Sequence, residues 1–369
     1  MFFTKTLILS LAALAAAHPG HEEQEKRQAI AARSTIAANK RALNNCAASL
    51  NKRGIYSAAA ERRAAEVARQ REARGLPLFN ARAKSSVEKR DTIDVLNKDH
   101  QGTLNGTMAV DDELYVFSDT QCTVLNPEGE VGPFYVPGEY IRSDLRDGEP
   151  GVEMFIDAQF IDVNTCEPIV GGWFDIWNCN TTGVYSGIQS DQNGNGDDAS
   201  NLNNTALRGL QQTDDNGVVQ FQSIFPGHYS GRTNHLHVVF HTNATVLENG
   251  TLTGGTVPHI GQFFWDQALI DEVETLSPYT TNTQSHTTNE EDHVFGEQET
   301  EGSDSDPVFS YVYLGDDVSD GLFTWIVIGI NTTASYTPTY SFEFTEGGGV
   351  AVGNSGGGAP SGTPSGTPA

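Results

Sequence analysis

From about Asp91 onward, apolar and polar residues alternate in short runs bounded by Gly, Asn and Asp. Residues 154–160 and 172–177 alternate with the period of two expected of strands, and are joined by a turn around Asn164–Pro168. Val218–Phe225 follows the turn Asp214-Asp215-Asn216-Gly217, and His235–His241 is the next strand. Further strands are predicted at 309–314, 323–330 and 340–344. Many short strands separated by turn residues predict a mainly β protein, a β-sandwich core. Upstream the periodicity changes. Ala32–Leu50 and Tyr56–Arg74 read as two helices parted by Asn51-Lys52-Arg53-Gly54, and Gly75-Leu76-Pro77 ends the second. The chain therefore predicts a helical N-terminal segment, 18–90, ahead of a β domain, 91–346. A Gly/Ser/Thr/Pro-rich tail, 347–369, is expected to be disordered.

Composition adds a compartment. Met1–Ala17 has a basic start, an apolar stretch and Ala15-Ala16-Ala17 at its end, the pattern of a signal peptide. The expectation is a secreted, extracellular protein. Asn105, Asn180, Asn203, Asn243, Asn249 and Asn331 lie in N-x-S/T contexts that glycosylation could use. Cys46, Cys122, Cys166 and Cys179 predict two disulfides in an oxidising compartment, with three connectivities open, although a local 166–179 bridge is sterically poor. Lys26-Arg27, Lys52-Arg53 and Lys89-Arg90 are either dibasic processing sites or surface charges of a retained segment.

Charge is divided unevenly. Residues 18–90 hold 16 Lys/Arg against 7 Asp/Glu, a net of +9. Residues 91–369 hold 5 basic residues against 41 acidic ones, a net of −36. So acidic a body excludes nucleic acid and anionic membranes as partners. The basic helices are free to lie against it. One of its five basic residues, Arg232, sits in the most informative stretch of the chain.

That stretch is Pro226–His237. His235 and His237, at i and i+2 on a strand, point the same way and can share one metal ion. Two imidazoles leave a metal site incomplete, and a lone H-x-H is also compatible with a core pair or a polar face. No H-x-D or H-x-E surrounds His235, which argues against a two-histidine, one-carboxylate ferrous site. Asp191–Asp197 imitates half a calcium loop, but position twelve is Leu202 where a glutamate is needed, so a hydrated loop is expected.

Together with the upstream segment Gly171–Ser186, which contains D-I-W-N-C-N-T-T-G-V-Y-S, this stretch resembles the intradiol ring-cleaving dioxygenases. The resemblance covers about residues 115–265. It implies a non-haem Fe(III) cofactor held by Tyr185, Tyr229, His235 and His237. Phenolate oxygens favour ferric iron and suit zinc less. It also implies that Tyr229 is the displaceable ligand and a proton acceptor, that Arg232 stabilises charge developing on the ring, and that Gln262 orients the arginine. Gly132-Pro133-Phe134-Tyr135-Val136 matches the loop that walls the substrate pocket, giving Pro133, Phe134 and Tyr135 as pocket residues. The implied reaction is cleavage of a catechol-type ring by O₂ between its hydroxylated carbons, giving a cis,cis-muconate-type diacid in aromatic catabolism. The helical N-terminus, the cysteines and the region after Asp266 depart from the bacterial catechol enzymes and look more like secreted fungal members. Intracellular relatives dimerise through their N-terminal helices, so a homodimer is also an expectation. Two rival readings stand beside this one: a non-catalytic secreted sandwich that binds iron or catechols, and a copper or zinc protein built on H-x-H.

Overall fold

The computed structural model describes residues 22–76, 95–102, 116–117, 122–125, 130–298, 305–345 and 348–352. The signal peptide, Asn105 and the tail beyond Val352 lie outside the described residues. Among the described residues, two helices, α1 (Glu22–Lys52) and α2 (Ile55–Ala73), precede thirteen strands. The strands are β1 (Glu153–Asp162), β2 (Glu167–Pro168), β3 (Trp173–Trp177), β4 (Arg208–Gln212), β5 (Val218–Ile224), β6 (Leu236–Thr242), β7 (Thr245–Val246), β8 (Leu252–Thr253), β9 (Thr256–Phe263), β10 (Ser310–Tyr313), β11 (Leu322–Ile330), β12 (Phe342–Thr345) and β13 (Gly348–Ala351). Between β9 and β10 lie α3 (Gln267–Glu274) and α4 (His293–Gln298).

The strands form a sandwich, as the alternation predicts. One sheet runs β10-β11-β1-β2, with β5 also paired to β1, and the other runs β4-β3-β6-β9. Phe160 from the first sheet meets Phe174 and Phe240 from the second at 4.6 Å between ring centres. These rings, with Ile176, Val238, Phe221 and Ile328, form the dry interior. Burying each such side chain is worth roughly 1.5–3 kcal/mol. β1 is buried along nearly its whole length, on both faces. The reason is a third layer. Ala60 and Val67 of α2 pack with Phe155, Phe323 and Trp325 on the outer face of the first sheet, and Leu43 and Leu50 of α1 pack with Ile161 and Val327.

Charge reinforces that docking. Arg62 and Arg63 both donate to the buried Asp157, at 2.8–2.9 Å. Burial alone would raise the Asp157 carboxyl. The two guanidiniums reverse this and hold it at about 2. Cys46 in α1 is bonded to Cys166 in the turn before β2, closing a loop of 120 residues. In the chain-entropy picture such a loop contributes about 4–5 kcal/mol. The expectation of two disulfides is corrected here, because Cys122 and Cys179 are free. Cys122 adjoins Thr123, which bridges to β11 of the first sheet, whereas Cys179 follows β3 of the second. The expected tail boundary also moves: Gly348–Ala351 pairs with β12 as a hairpin instead of beginning a disordered tail. Among the described residues, no helix is long and apolar enough to cross a membrane.

Candidate metal centre

The outer face of the second sheet carries the site. In β6, Leu236, Val238 and Phe240 face the interior, which turns His237 outward. The register puts His237 between Trp177 on β3 and Gln262 on β9. Trp177 stacks on the imidazole at 4.9 Å with planes 5° apart, which fixes its orientation. His235 lies just before β6, and its Nδ1–H donates to the Thr233 carbonyl at 2.6 Å. That bond leaves the Nε2 lone pair aimed into the site.

Tyr185 arrives from the loop after β3. Asn180 accepts from the backbone N–H groups of Thr182 and Val184 and sets the turn. Gly183 is required in this turn: its φ is +84°, and a Cβ would lie 2.2 Å from the His228 carbonyl oxygen. Asn193 then clamps Tyr185, accepting from its N–H and donating to its carbonyl, both at 2.8 Å. Asn201 donates to the same carbonyl. Asn193 is buried while Asp191, Gln192, Gly194 and Asp197 are exposed, so the solvent-facing loop also turns one side chain inward to support Tyr185.

Four polar atoms converge. His235 Nε2 and His237 Nε2 are 3.0 Å apart. The Tyr185 hydroxyl is 3.3 Å from the first and 3.1 Å from the second, and the Tyr229 hydroxyl is 3.3 Å from His235 Nε2. Burial pushes both phenols above their usual range. Burial and Arg232 push both imidazoles well below theirs. The four side chains are thus neutral, and their donor atoms lie at hydrogen-bond distance of one another, with His237 Nδ1 left without a partner. A cation at the centre would be met by all four. Tetrahedral bonds of about 2.0 Å would space their donors by about 3.3 Å, close to the observed separations. The residues present therefore fit a metal ion, and two phenol oxygens with two imidazoles suit a hard trivalent ion better than zinc.

Arg232 borders this cluster, with Nη1 3.5 Å from the Tyr229 hydroxyl. Its Nη2 donates to the Gln262 side-chain Oε1, and Gln262 Nε2 in turn donates to the Glu130 backbone carbonyl at 2.7 Å. Asp292, which no sequence pattern singles out, is the arginine's anchor. Its Oδ2 accepts from Arg232 Nε at 2.9 Å and from the Thr233 N–H at 2.8 Å. Burial would raise the Asp292 carboxyl, but Arg232, helped by the Phe295 N–H, holds it below the usual carboxylate range. A second cation, Arg208, lies 5.8 Å from the Tyr185 ring centre, fully buried and 3.6 Å from Glu139. Burial pushes the Glu139 carboxyl up to about 8 against the pull of Arg208.

The Gly132–Val136 loop covers the cluster. Gly132 sits at φ +71°, and a Cβ there would come 3.2 Å from His237 Cε1. Phe134 stacks on Tyr185 at 4.8 Å and meets Tyr229 edge-on at 5.9 Å. Pro133 is exposed. Tyr135 turns away, against Trp177 and Tyr340. Of the three expected pocket residues, Phe134 is the one in contact with the tyrosines of the cluster.

The family described as Dioxygenase matches residues 132–245, a span that contains all four converging donors and Arg232. The solved intradiol ring-cleavage dioxygenase from Tetranychus urticae is 30% identical over 97% of its own chain and 58% of this one, with a TM-score of 0.47. The chain belongs to the intradiol ring-cleavage dioxygenase family. A second solved dioxygenase is 29% identical over the same shares, with a TM-score of 0.47. No curated protein matches. The described residues outside the family match include the two N-terminal helices and the segment after β9, which supplies Asp292.

Proposed function

We propose that this intradiol dioxygenase is a secreted ferric enzyme that cleaves catechol-type rings with O₂ to cis,cis-muconate-type diacids, with Tyr185, Tyr229, His235 and His237 as the metal ligands. The observation that carries the reading is the convergence of two phenol oxygens and two imidazole nitrogens at 3.0–3.3 Å. The chemistry ferric iron supplies in such a set is Lewis-acid activation of an aromatic diol toward O₂.

The protein's own residues divide the remaining work. Tyr185 is fully buried and clamped by asparagines, so it is the permanent member of the pair. Tyr229 is partly buried where Tyr185 is sealed, and follows the short Pro226–His228 segment, so it is the oxygen that, as a phenolate held by the ferric ion, would give way to an entering diol and take up a diol proton. Arg232 is held on two sides, by Asp292 and Gln262, and keeps Nη1 toward the Tyr229 hydroxyl. A guanidinium fixed there before reaction stabilises negative charge that develops on the ring, with no reorganisation at that moment. Phe134 supplies an apolar wall for an aromatic ring. Secretion is supported by the leader pattern and by the Cys46–Cys166 disulfide, which suits an oxidising compartment.

Oxygen uptake by the iron-loaded protein with catechol, with the product followed by its ultraviolet absorption, tests the activity. Stoichiometric uptake with a muconate product is expected. Iron binding without uptake would instead favour the non-catalytic binding protein. N-terminal sequencing of protein from the culture medium tests secretion, with a start after Ala17 expected.

A further inference from the structure

On the far side of the Tyr229 turn a second group of metal-ligating side chains meets. His228, Glu274 and His286 each place a ligand atom within 4.8 Å of the others. We propose that these three residues form a second cation site, distinct from the four-donor cluster, that takes a borderline divalent ion of the zinc class.

The argument starts from the His228 ring, which is buried. Its Nε2 is 3.1 Å from the Gln284 carbonyl oxygen, so Nε2 carries a proton and donates it there. Metal-bound histidines characteristically donate their other ring N–H in this way, which fixes the tautomer. Nδ1 then presents a lone pair. The Asn282 Nδ2 donor faces it at 3.5 Å, but on its other side the Glu274 Oε1 atom lies 2.8 Å away. Such a contact holds a positive centre, either a second proton on His228, as in an imidazolium–carboxylate pair, or a metal ion in its place. The same Glu274 oxygen accepts from Asn234 Nδ2 at 2.8 Å, which holds the carboxylate in place at the end of α3. The exposed His286 ring stands 5.0 Å from His228, nearly perpendicular to it. A proton shared between His228 and Glu274 would not call for a third ligand, whereas a metal ion would use it.

The donor set selects the ion. Two imidazoles and one carboxylate suit zinc and its neighbours, not calcium or magnesium, which take oxygen ligands. Three protein ligands with one exposed member leave a position for water. A bound ion would join the 282–286 segment to the turn carrying Tyr229. That segment already grips the turn through Asn282, which donates to the His228 carbonyl at 2.8 Å, and Gln284, which accepts from the Ser230 N–H at 3.1 Å.

The test is calorimetric titration of the iron-loaded full chain with Zn²⁺, alongside His286→Ala and Glu274→Gln, with iron content measured before and after. Saturable binding of one zinc per chain is expected, weakened on the order of 100-fold in each variant, with iron content unchanged. His286 is exposed, so its replacement leaves folding intact. Cobalt titration provides a second readout, with visible bands of a nitrogen- and oxygen-ligated ion that disappear in His286→Ala. Equal zinc affinity in the parent and His286→Ala, absence of saturable binding, or zinc entering only as iron leaves would each overturn the proposal.

Discussion

His100 links three separated parts of the chain, and its replacement should change how stability responds to alkali. The ring is buried between two carboxylates: Nδ1 is 2.5 Å from Asp266, and Nε2 is 3.0 Å from Asp306. The His100 backbone N–H also donates to Asp266 at 2.8 Å. Burial alone would lower the imidazole. The hydrogen bonds and charges of Asp266 and Asp306 outweigh it and raise the group to about 9, from an ordinary 6.5. At about 1.4 kcal/mol per unit, a difference of this size is worth about 3 kcal/mol. Its sign follows from the raised value. The contribution is complete below about pH 6.5, where the unfolded histidine is also protonated, and it fades as pH rises through about 9. Asp306 is depressed to about 2, with burial opposing and His100 favouring the charged form. Its contribution is present above the ordinary carboxylate range and is lost as pH falls toward 2. The same contact underlies both shifts, so it is counted once. Thermal unfolding of the parent and His100→Gln from pH 5 to 10 is the assay. The parent should be more stable by about 3 kcal/mol at pH 5–6, roughly 6–12 °C in a domain of this size, and most of the gap should close by pH 10. A gap that stays constant across that range would refute the reasoning.

Arg232→Ala should retain iron yet lose turnover by on the order of 100-fold, because the arginine acts on charge that appears only during reaction; parental kcat with the variant would remove it from that role. Gly132→Ala should lower iron occupancy, since its methyl would press on His237 Cε1 at 3.2 Å and φ is +71°, and metal analysis of protein held well below its melting temperature would report it. Neutral catechols should be preferred over protocatechuate at low salt, measured as kcat/KM. The β-domain arginines are already engaged: Arg142 is tied to Asp147, Arg146 to Asp144, and Arg208 is sealed behind Tyr185. Glu130 and Glu297 lie near Arg232 and add negative charge on that side. A clear preference for protocatechuate would contradict this electrostatic account.

The sandwich was legible because residues such as Leu236, Val238 and Phe240 alternate against outward partners. Strand β9 went unread. Its Ile260-Gly261-Gln262-Phe263 run is buried throughout and lacks alternation. The dihistidine, the two tyrosines, Arg232 and Gln262 sit in local motifs, and local motifs survive in one dimension. Asp292 and Arg208 do not. Each acts on the cluster from a distant part of the chain, through a contact that only the folded sheet brings about. Asn193 was hidden differently, inside a run of Asn, Asp and Gly that reads as a hydrated loop. Its carboxamide completes the backbone hydrogen bonds of Tyr185, and only the burial of Asn193 within that otherwise exposed loop reveals it.

The central claim is that two tyrosines and two histidines hold ferric iron. The most direct measurement is iron content together with the visible absorption spectrum of the purified protein, for the parent and Tyr185→Phe. One iron per chain and a red-brown phenolate-to-iron absorption are predicted in the parent, with the band lost or strongly shifted in the variant. A colourless parent containing zinc or copper, or an unchanged band with full iron in Tyr185→Phe, would contradict the account.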